Sequence, residues 1–349
     1  CRLEFEKFHS KNNKKNKIYK DLFLLIAYAN IQDASELSTP REKYNRRSNK
    51  IHNYVKMNEL IQDSPLDENQ ANTIHKSALK ILIKKSTEGF HIIQTKENSD
   101  FFLLQDRVMG FGTFSEIRKV HNLSTNTELI LKSTRLMKSD EGLKNENRIL
   151  SSLKKNNINL TGIQKPYRYQ IKDDLTYKGF IGKEYDGDLS SKIKKDNLTD
   201  MQKMQCAQQL LTGLKTLHEN NILHGDIKPD NCLVKQEGDA IKCVIADFGG
   251  ATTDRSTPQT HTKTYLPKKY LKLFSTNDSK PSQAYKLALS RDIYAMGKTL
   301  SELFEGSEKL PKGLSALISN MMNDSYEKRP TAEEVLARFS ELIKPPQSS

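Results

Sequence analysis

Long apolar runs are missing from this chain of 349 residues. The longest near the start, Leu22 to Ala29, is far too short for a bilayer, which takes about 20 apolar residues to cross. No transmembrane segment is therefore expected. Cysteine is scarce: Cys1, Cys206, Cys232 and Cys243 show no metal-ligand spacing, so buried free thiols in a reducing cytosol are the simpler expectation. No internal repeat is visible, which sets aside solenoids and propellers. The first residue is Cys1 rather than Met, as expected where a chain is cut from a longer one. A lipid-modified terminus would need a signal lying outside this sequence.

What is present is polar and basic. Charged residues make up 28% of the chain, the mean hydropathy is -0.70 and the net charge is +13. A soluble protein with anionic partners is expected. Nucleic acid is disfavoured among them, because Lys11, Lys14, Lys15, Lys17 and Lys20 run together with little aromatic interleaving, the mark of a solvated face. Peripheral contact with an anionic membrane surface stays open. The length allows one large domain or two ordinary ones.

The pattern changes near residue 97. Before it, Ile18 to Ala29, Lys50 to Ile61 and Glu68 to Lys85 read as helices separated by polar breaks at Ser38-Thr39-Pro40 and Ser64-Pro65. Residues 1–97 form a helical extension with no chemistry-bearing motif; a buttress or a homodimer contact is its plainest use. From Phe101 onward, Phe102 to Met109, Phe114 to Val120 and Leu129 to Lys132 read as strands between turn residues. Helices dominate after Thr199, which opens a capping box with Gln202, and Met204, Ala207, Leu211, Leu214 and Leu217 form one apolar stripe. An α+β chain follows, a small β-rich part before a larger helical part.

Chemistry concentrates in His224-Gly225-Asp226-Ile227-Lys228-Pro229-Asp230-Asn231 and in Asp247-Phe248-Gly249. An aspartate, a lysine two residues on, an asparagine five residues on and a later aspartate can orient a hydroxyl, steady a phosphoryl group and hold divalent cations through hard oxygens. Upstream, Gly110-Phe111-Gly112-Thr113-Phe114-Ser115-Glu116-Ile117 lies between two expected strands, where glycines let backbone N–H groups close over phosphates. Lys132 ends the next strand, and Glu146 lies on a helix expected from Glu141 to Lys154. Each residue alone is more often structural; the order and spacing of the set make chance remote.

This series resembles the eukaryotic-type serine/threonine protein kinases over about residues 98–345. The resemblance implies a bilobal protein-kinase fold, ATP and Mg²⁺ as cofactors, and protein Ser/Thr hydroxyls as acceptors. It implies catalytic roles for Asp226 as base, for Lys228 on the transferring phosphoryl group, and for Lys132 paired with Glu146. Asn231 and Asp247 fall on metal-holding positions. Gly110, Gly112, Ser115, Ile117, Ile130, Lys132 and Leu233 fall on nucleotide-binding positions, with backbone groups of Glu184 to Asp186 toward the adenine edge. Thr262 falls where a threonine backs the catalytic aspartate.

Departures from the family pattern carry their own expectations. Ile130 replaces a small residue and would crowd the adenine roof. Lys183 falls at the usually apolar gatekeeper position behind the adenine, unless the register slips by one. Gly225 replaces the arginine that pairs with an activation-loop phosphate, so an enzyme active without phosphorylation of Thr252, Thr253, Ser256 or Thr257 is expected. Lys268 stands where the ion-pair partner of Arg329 belongs, and like charges repel. Asp292 opens Asp292-Ile293-Tyr294-Ala295-Met296-Gly297, which matches the buried helix that anchors the catalytic loop. Tyr270 to Arg291 reads as an insertion beside a reduced substrate-docking region. Gly225, the shortened helical part and the Lys/Asn/Ile-rich composition are similar to effector kinases translocated by bacterial pathogens, which implies virulence and a host-cytoplasm location; otherwise the location is cytoplasmic. The alternatives are a pseudokinase scaffold, favoured by Ile130, Lys183 and Lys268, and a small-molecule phosphotransferase, which shares His-Gly-Asp but usually lacks the lysine at Lys228.

Overall fold

The structure is a computed structural model that describes residues 91–96, 101–111, 115–122, 127–135, 140–171, 177–195, 198–253, 262–267 and 281–344. The three helices expected before residue 86 lie outside the described residues, as do Gly112, Ser256, Thr257 and Lys268. The chain divides into two compact units: Cys1–Met109 with Arg118–Leu129, and Gly110–Ile117 with Ile130–Ser349.

In the first unit, β1 (His91–Gln94) pairs antiparallel with β2 (Phe101–Phe111), with His91 opposite Leu104 and Gln94 opposite Phe101. β3 (Glu116–Asn122) is the next strand of the sheet. Phe102, Leu104 and Val120 are buried, as the period-two alternation of a half-buried strand dictates. β1 falls within the stretch assigned to the helical extension. Its Ile92-Ile93 pair is β-branched, which stiffens χ1 and suits a pleated surface better than a helix.

In the second unit, β4 (Thr127–Arg135) pairs antiparallel with β6 (Tyr177–Gly182), which sets Lys132 opposite Phe180 and Ile130 opposite Gly182. β5 (Tyr169–Gln170) borders β6 on its other side. Between β4 and β5 runs α1 (Glu141–Lys155), whose Leu143, Glu146, Ile149, Leu150 and Leu153 form one buried stripe. A second sheet follows in the order β7 (Gly187–Asp188), β8 (Cys232–Glu237), β9 (Ala240–Ile245). Ile241, Cys243 and Ile245 are buried, and Val244 between them is too, so β9 is covered on both faces as it leads into Asp247.

Helices α2 (Leu189–Lys194), α3 (Asp200–Glu219), α4 (Pro281–Leu303), α5 (Leu314–Met321) and α6 (Ala332–Leu342) complete the unit. The expected capping box is formed: Thr199 Oγ1 accepts the Gln202 N–H, and Gln202 Oε1 accepts the Thr199 N–H. Ala207, Leu211, Leu214 and Leu217 are wholly buried and Met204 packs at the margin of the same core. α4 corrects one expectation. Residues 281–291, read as part of an insertion, are the first turns of the helix that carries Asp292; Leu287, Ala288, Ile293 and Met296 continue a helical apolar spacing through the supposed boundary. Ile222-Leu223, read as strand-like, makes only a bridge, between Leu223 and Thr252. Among the described residues no helix is long and apolar enough to cross a membrane.

The position of β9 depends on two glycines. Gly162 has φ 71°, and Ile245 N–H donates to its carbonyl while Gln164 N–H donates to the Ile245 carbonyl. A Cβ at Gly213, on α3, would lie 2.3 Å from the Gly162 carbonyl oxygen, well inside contact distance. Gly213→Ala is expected to force α3 away from this loop and cost about 2–3 kcal/mol, the usual scale for overpacking a dense core. Urea unfolding checks it, and an unchanged midpoint would contradict the close approach.

Candidate active site

Lys132 and Glu146 come from neighbouring elements of the strand–helix segment, and Asp247 comes from the turn after β9. The structure brings all three together. Lys132 Nζ donates to Glu146 Oε2 at 2.6 Å and to Asp247 Oδ1 at 3.2 Å. Burial alone would lower the lysine, but Glu146, Tyr167 and Asp247 outweigh it and hold the ammonium well above the ordinary lysine value. The same lysine outweighs the burial of Asp247 and keeps that carboxyl below its ordinary value. Asp247 sits at φ 65°, a left-handed conformation that costs a non-glycine residue energy and recurs at functional turns.

The catalytic-loop residues converge as expected. Lys228 Nζ donates to Asp226 Oδ2 at 2.7 Å and to Thr262 Oγ1 at 2.8 Å, and Thr262 Oγ1 donates to Asp226 Oδ1 at 2.6 Å. Asn231 Nδ2 donates to the Asp226 carbonyl at 2.8 Å and to its Oδ2 at 3.1 Å. Burial would raise the Asp226 carboxyl, but Lys228 and Thr262 prevail and lower it. The group is therefore ionised at neutral pH and can accept a proton. With the Asn231 nitrogen committed to Asp226, its Oδ1 is the atom left for a cation. That oxygen and the Asp247 carboxylate are hard donors suited to Mg²⁺, so the residues present fit the ion that this pattern implies.

The loop backbone is gripped from below. Asp292 Oδ2 accepts the His224 N–H and Oδ1 accepts the Gly225 N–H, each at 2.9 Å. Arg291 Nη2 donates to the Gly225 carbonyl at 3.2 Å. Gly225 has φ 81°, a region that favours glycine over a residue with a side chain such as arginine. His224 Nε2 bonds the Ala246 carbonyl at 2.9 Å, and its ring meets Phe248 edge-on at 4.9 Å.

Sequence reasoning missed three residues. Asn145 Nδ2 reaches the carbonyls of Phe248, Gly249 and Ala251 at 3.3, 3.2 and 2.9 Å, tying α1 to the Asp-Phe-Gly turn. Tyr167 donates its hydroxyl to Glu146 Oε1 at 2.8 Å. Arg291 is the third. Their only sequence signals were adjacency to Glu146 and to Asp292 for two of them, and none for Tyr167.

Elsewhere the expectations meet corrections. The Asp186 N–H donates to the Val234 carbonyl at 2.8 Å, because β7 is drawn onto β8, so that donor is spent before any base edge could take it. Its carboxylate meets Lys235 at 2.9 Å. Glu184 is half-buried. Lys183 is exposed one residue past the end of β6, so its ammonium is solvated rather than enclosed. Ile130, Ser115, Ile117, Gly110 and Leu233 are each partly exposed. Arg329 needs no acid for its described contacts: Nε donates to the Asn323 carbonyl at 2.7 Å, Nη1 donates to the Ser290 carbonyl at 2.8 Å, and the guanidinium lies 5.1 Å from the Tyr294 ring centroid.

An ionised aspartate beside a lysine, an asparagine and a threonine, with a second lysine bridging two acids, can orient a hydroxyl and meet phosphate charge. The comparisons agree. The family Protein kinase domain matches residues 103–315, and the chain belongs to the protein kinase family. Its fold class is the bilobal protein-kinase fold, a β-rich lobe followed by a helical one. Human myosin light chain kinase family member 4 is 27% identical over 57% of this chain and 56% of its own length. A probable serine/threonine-protein kinase of Dictyostelium discoideum is 35% identical over 56% of this chain and 14% of its own. A second serine/threonine-protein kinase of that organism is 28% identical over 64% and 27% respectively. The chain thus spans at most 56% of the length of these relatives.

Asp292 makes a pH-dependent prediction. Burial would raise its carboxyl, but the hydrogen bond and charge of His218, with His224 and the Gly225 N–H, lower it. A depressed carboxyl adds stability that is present above its unfolded value of about 3.9 and is lost as pH falls through the lower folded value. Asp292→Ala leaves two N–H groups without their acceptor and is expected to cost about 3–5 kcal/mol at neutral pH. The deficit should shrink on acidification below about pH 4. Denaturant curves at several pH values check both, and a pH-independent deficit would contradict the assignment.

Proposed function

We propose that this chain transfers the γ-phosphate of ATP to serine and threonine hydroxyls of proteins. The observation that carries the reading is the Asp226 carboxylate held by Lys228, Thr262 and Asn231. Asp226 receives the acceptor hydroxyl and takes its proton late in a loose transition state. Lys228 stands where charge grows on the transferring group, and Lys132, fixed by Glu146, meets the non-transferred phosphates. Asn231 and Asp247 would hold Mg²⁺, which would neutralise phosphate charge. Thr262 and Lys228 favour Ser/Thr acceptors over tyrosine, in keeping with the two Dictyostelium discoideum relatives, both named as serine/threonine-protein kinases.

The grip of Arg291 and Asp292 on the Gly225 peptide supports activity without a loop phosphate, since the loop is held by groups inside the fold. The effector reading, with host proteins as substrates in the host cytoplasm, rests on Gly225, the short helical lobe and the composition. Dimerisation through residues 1–97 is proposed only as the plainest use of that extension.

Purified wild type is expected to label proteins from γ-labelled ATP at roughly 1–100 s⁻¹ on a good substrate, while Asp226→Asn loses the activity and keeps its melting temperature. Equal labelling by the variant would overturn the assignment of Asp226. Phosphatase-treated wild type should retain its rate; loss of activity would remove the phosphate-independent reading. Phosphosite mass spectrometry of a eukaryotic lysate, wild type against Asp226→Asn, tests the effector reading, and an absence of new sites on host proteins would count against it.

A further inference from the structure

We propose that Tyr167 is a positioning residue for Lys132: its hydroxyl fixes the Glu146 carboxylate that fixes the lysine, and Gly182 leaves the room its ring needs. The inference rests on the kinase reading for what Lys132 meets, and on geometry for the rest.

Glu146 is almost wholly buried at 1% exposure. Its two oxygens have different partners, Tyr167 Oη on Oε1 at 2.8 Å and Lys132 Nζ on Oε2 at 2.6 Å. With both oxygens held, the carboxylate cannot rotate, and Lys132 Nζ is fixed between it and Asp247 Oδ1 at 3.2 Å. A lone Lys–Glu contact would leave one buried carboxylate oxygen without a donor, which is costly in a dry site. Burial raises the Tyr167 phenol far above its ordinary value, so the hydroxyl remains a donor across the working pH range.

The ring is placed by the sheet. Tyr167 stacks on Phe180 with centroids 5.8 Å apart and planes at 27°. A Cβ at Gly182 would stand 2.8 Å from Tyr167 Cδ1 and 3.7 Å from its Cα. Phe180 and Gly182 are two apart on β6 and share a face, and their partners across the ladder are Lys132 and Ile130. Residues directly opposite in an antiparallel pair share a face as well. One ring is therefore registered against the strand face that presents Lys132, with a glycine where any side chain would displace it. Gly182 has no positive φ to explain it, so the need for space is its reason.

The test compares Tyr167→Phe and Gly182→Ala with wild type in ATP KM, kcat and equilibrium displacement of a fluorescent ATP analogue, with melting temperature as a folding control. Tyr167→Phe keeps the ring and loses the donor. Its KM and nucleotide dissociation constant are expected to rise roughly tenfold, the worth of a hydrogen bond to a charged group, while kcat changes by less than about threefold because Asp226 and Lys228 are untouched. Gly182→Ala should reproduce the pattern by moving the ring, and the double variant should be no weaker than the worse single one. Unchanged KM and affinity in a folded Tyr167→Phe, with wild type active, would overturn the positioning role and leave the kinase reading standing. Should Tyr167→Phe fail to fold, unchanged KM in Gly182→Ala overturns the role by itself. Weakened analogue binding in both variants, with no phosphate transfer by wild type, would support the positioning role and sink the kinase reading. A wild type that binds no nucleotide overturns both.

Discussion

The Lys132 ammonium, held between Glu146 and Asp247, is the contact on which the remaining arrangement depends. A buried cation is tolerable only when opposite charge compensates its desolvation. Here β4 carries the lysine, and the compensation comes from two other elements: α1 supplies the glutamate and the turn after β9 the aspartate. The pair can form only when α1 lies against the Asp-Phe-Gly turn. Asn145 secures that approach through three turn carbonyls. Electrostatics at one atom therefore specifies the packing of a helix.

A second constraint holds the base. Asp226 stands on a loop with little secondary structure, so side chains must replace a ladder. Asp292 takes two consecutive N–H groups, Arg291 meets the carbonyl between them and Asp226, and His224 joins the loop to Ala246, the residue after β9. These anchors sit on α4 or directly after β9, and the apolar faces of both elements belong to the same core. Rigid elements thus carry the mobile chemistry, as a site requiring sub-ångström placement demands.

Much of this was legible in the sequence, and the reasons are physical. α3 announced itself through a capping box and a five-residue stripe, both local signals of period 3.6. The set of Lys132, Glu146, Asp226, Lys228, Asn231 and Asp247 was legible through its resemblance to the order and spacing of a known family, and the structure gathers it into two hydrogen-bonded groups. Thr262 was reached through the family resemblance. Tyr167 left no trace, since its partner Glu146 is 21 residues away and nothing local to a tyrosine reveals a distant carboxylate. The start of α4 was misread because Pro281 and its polar neighbours mimic a loop until the apolar positions after Tyr285 establish the helix. Asp186 was assigned to a base edge from its place after β6, but short-strand pairing with β8 claimed its N–H, a long-range event invisible to spacing.

The central claim is that Lys132, Glu146 and Asp247 form one cation-and-nucleotide site. Its most direct test is calorimetric titration of ATP with and without Mg²⁺, for wild type, Lys132→Met and Asp247→Asn. The account predicts Mg²⁺-dependent binding by wild type, weakened by at least roughly tenfold in each variant. Equal, metal-independent binding by all three proteins would contradict it.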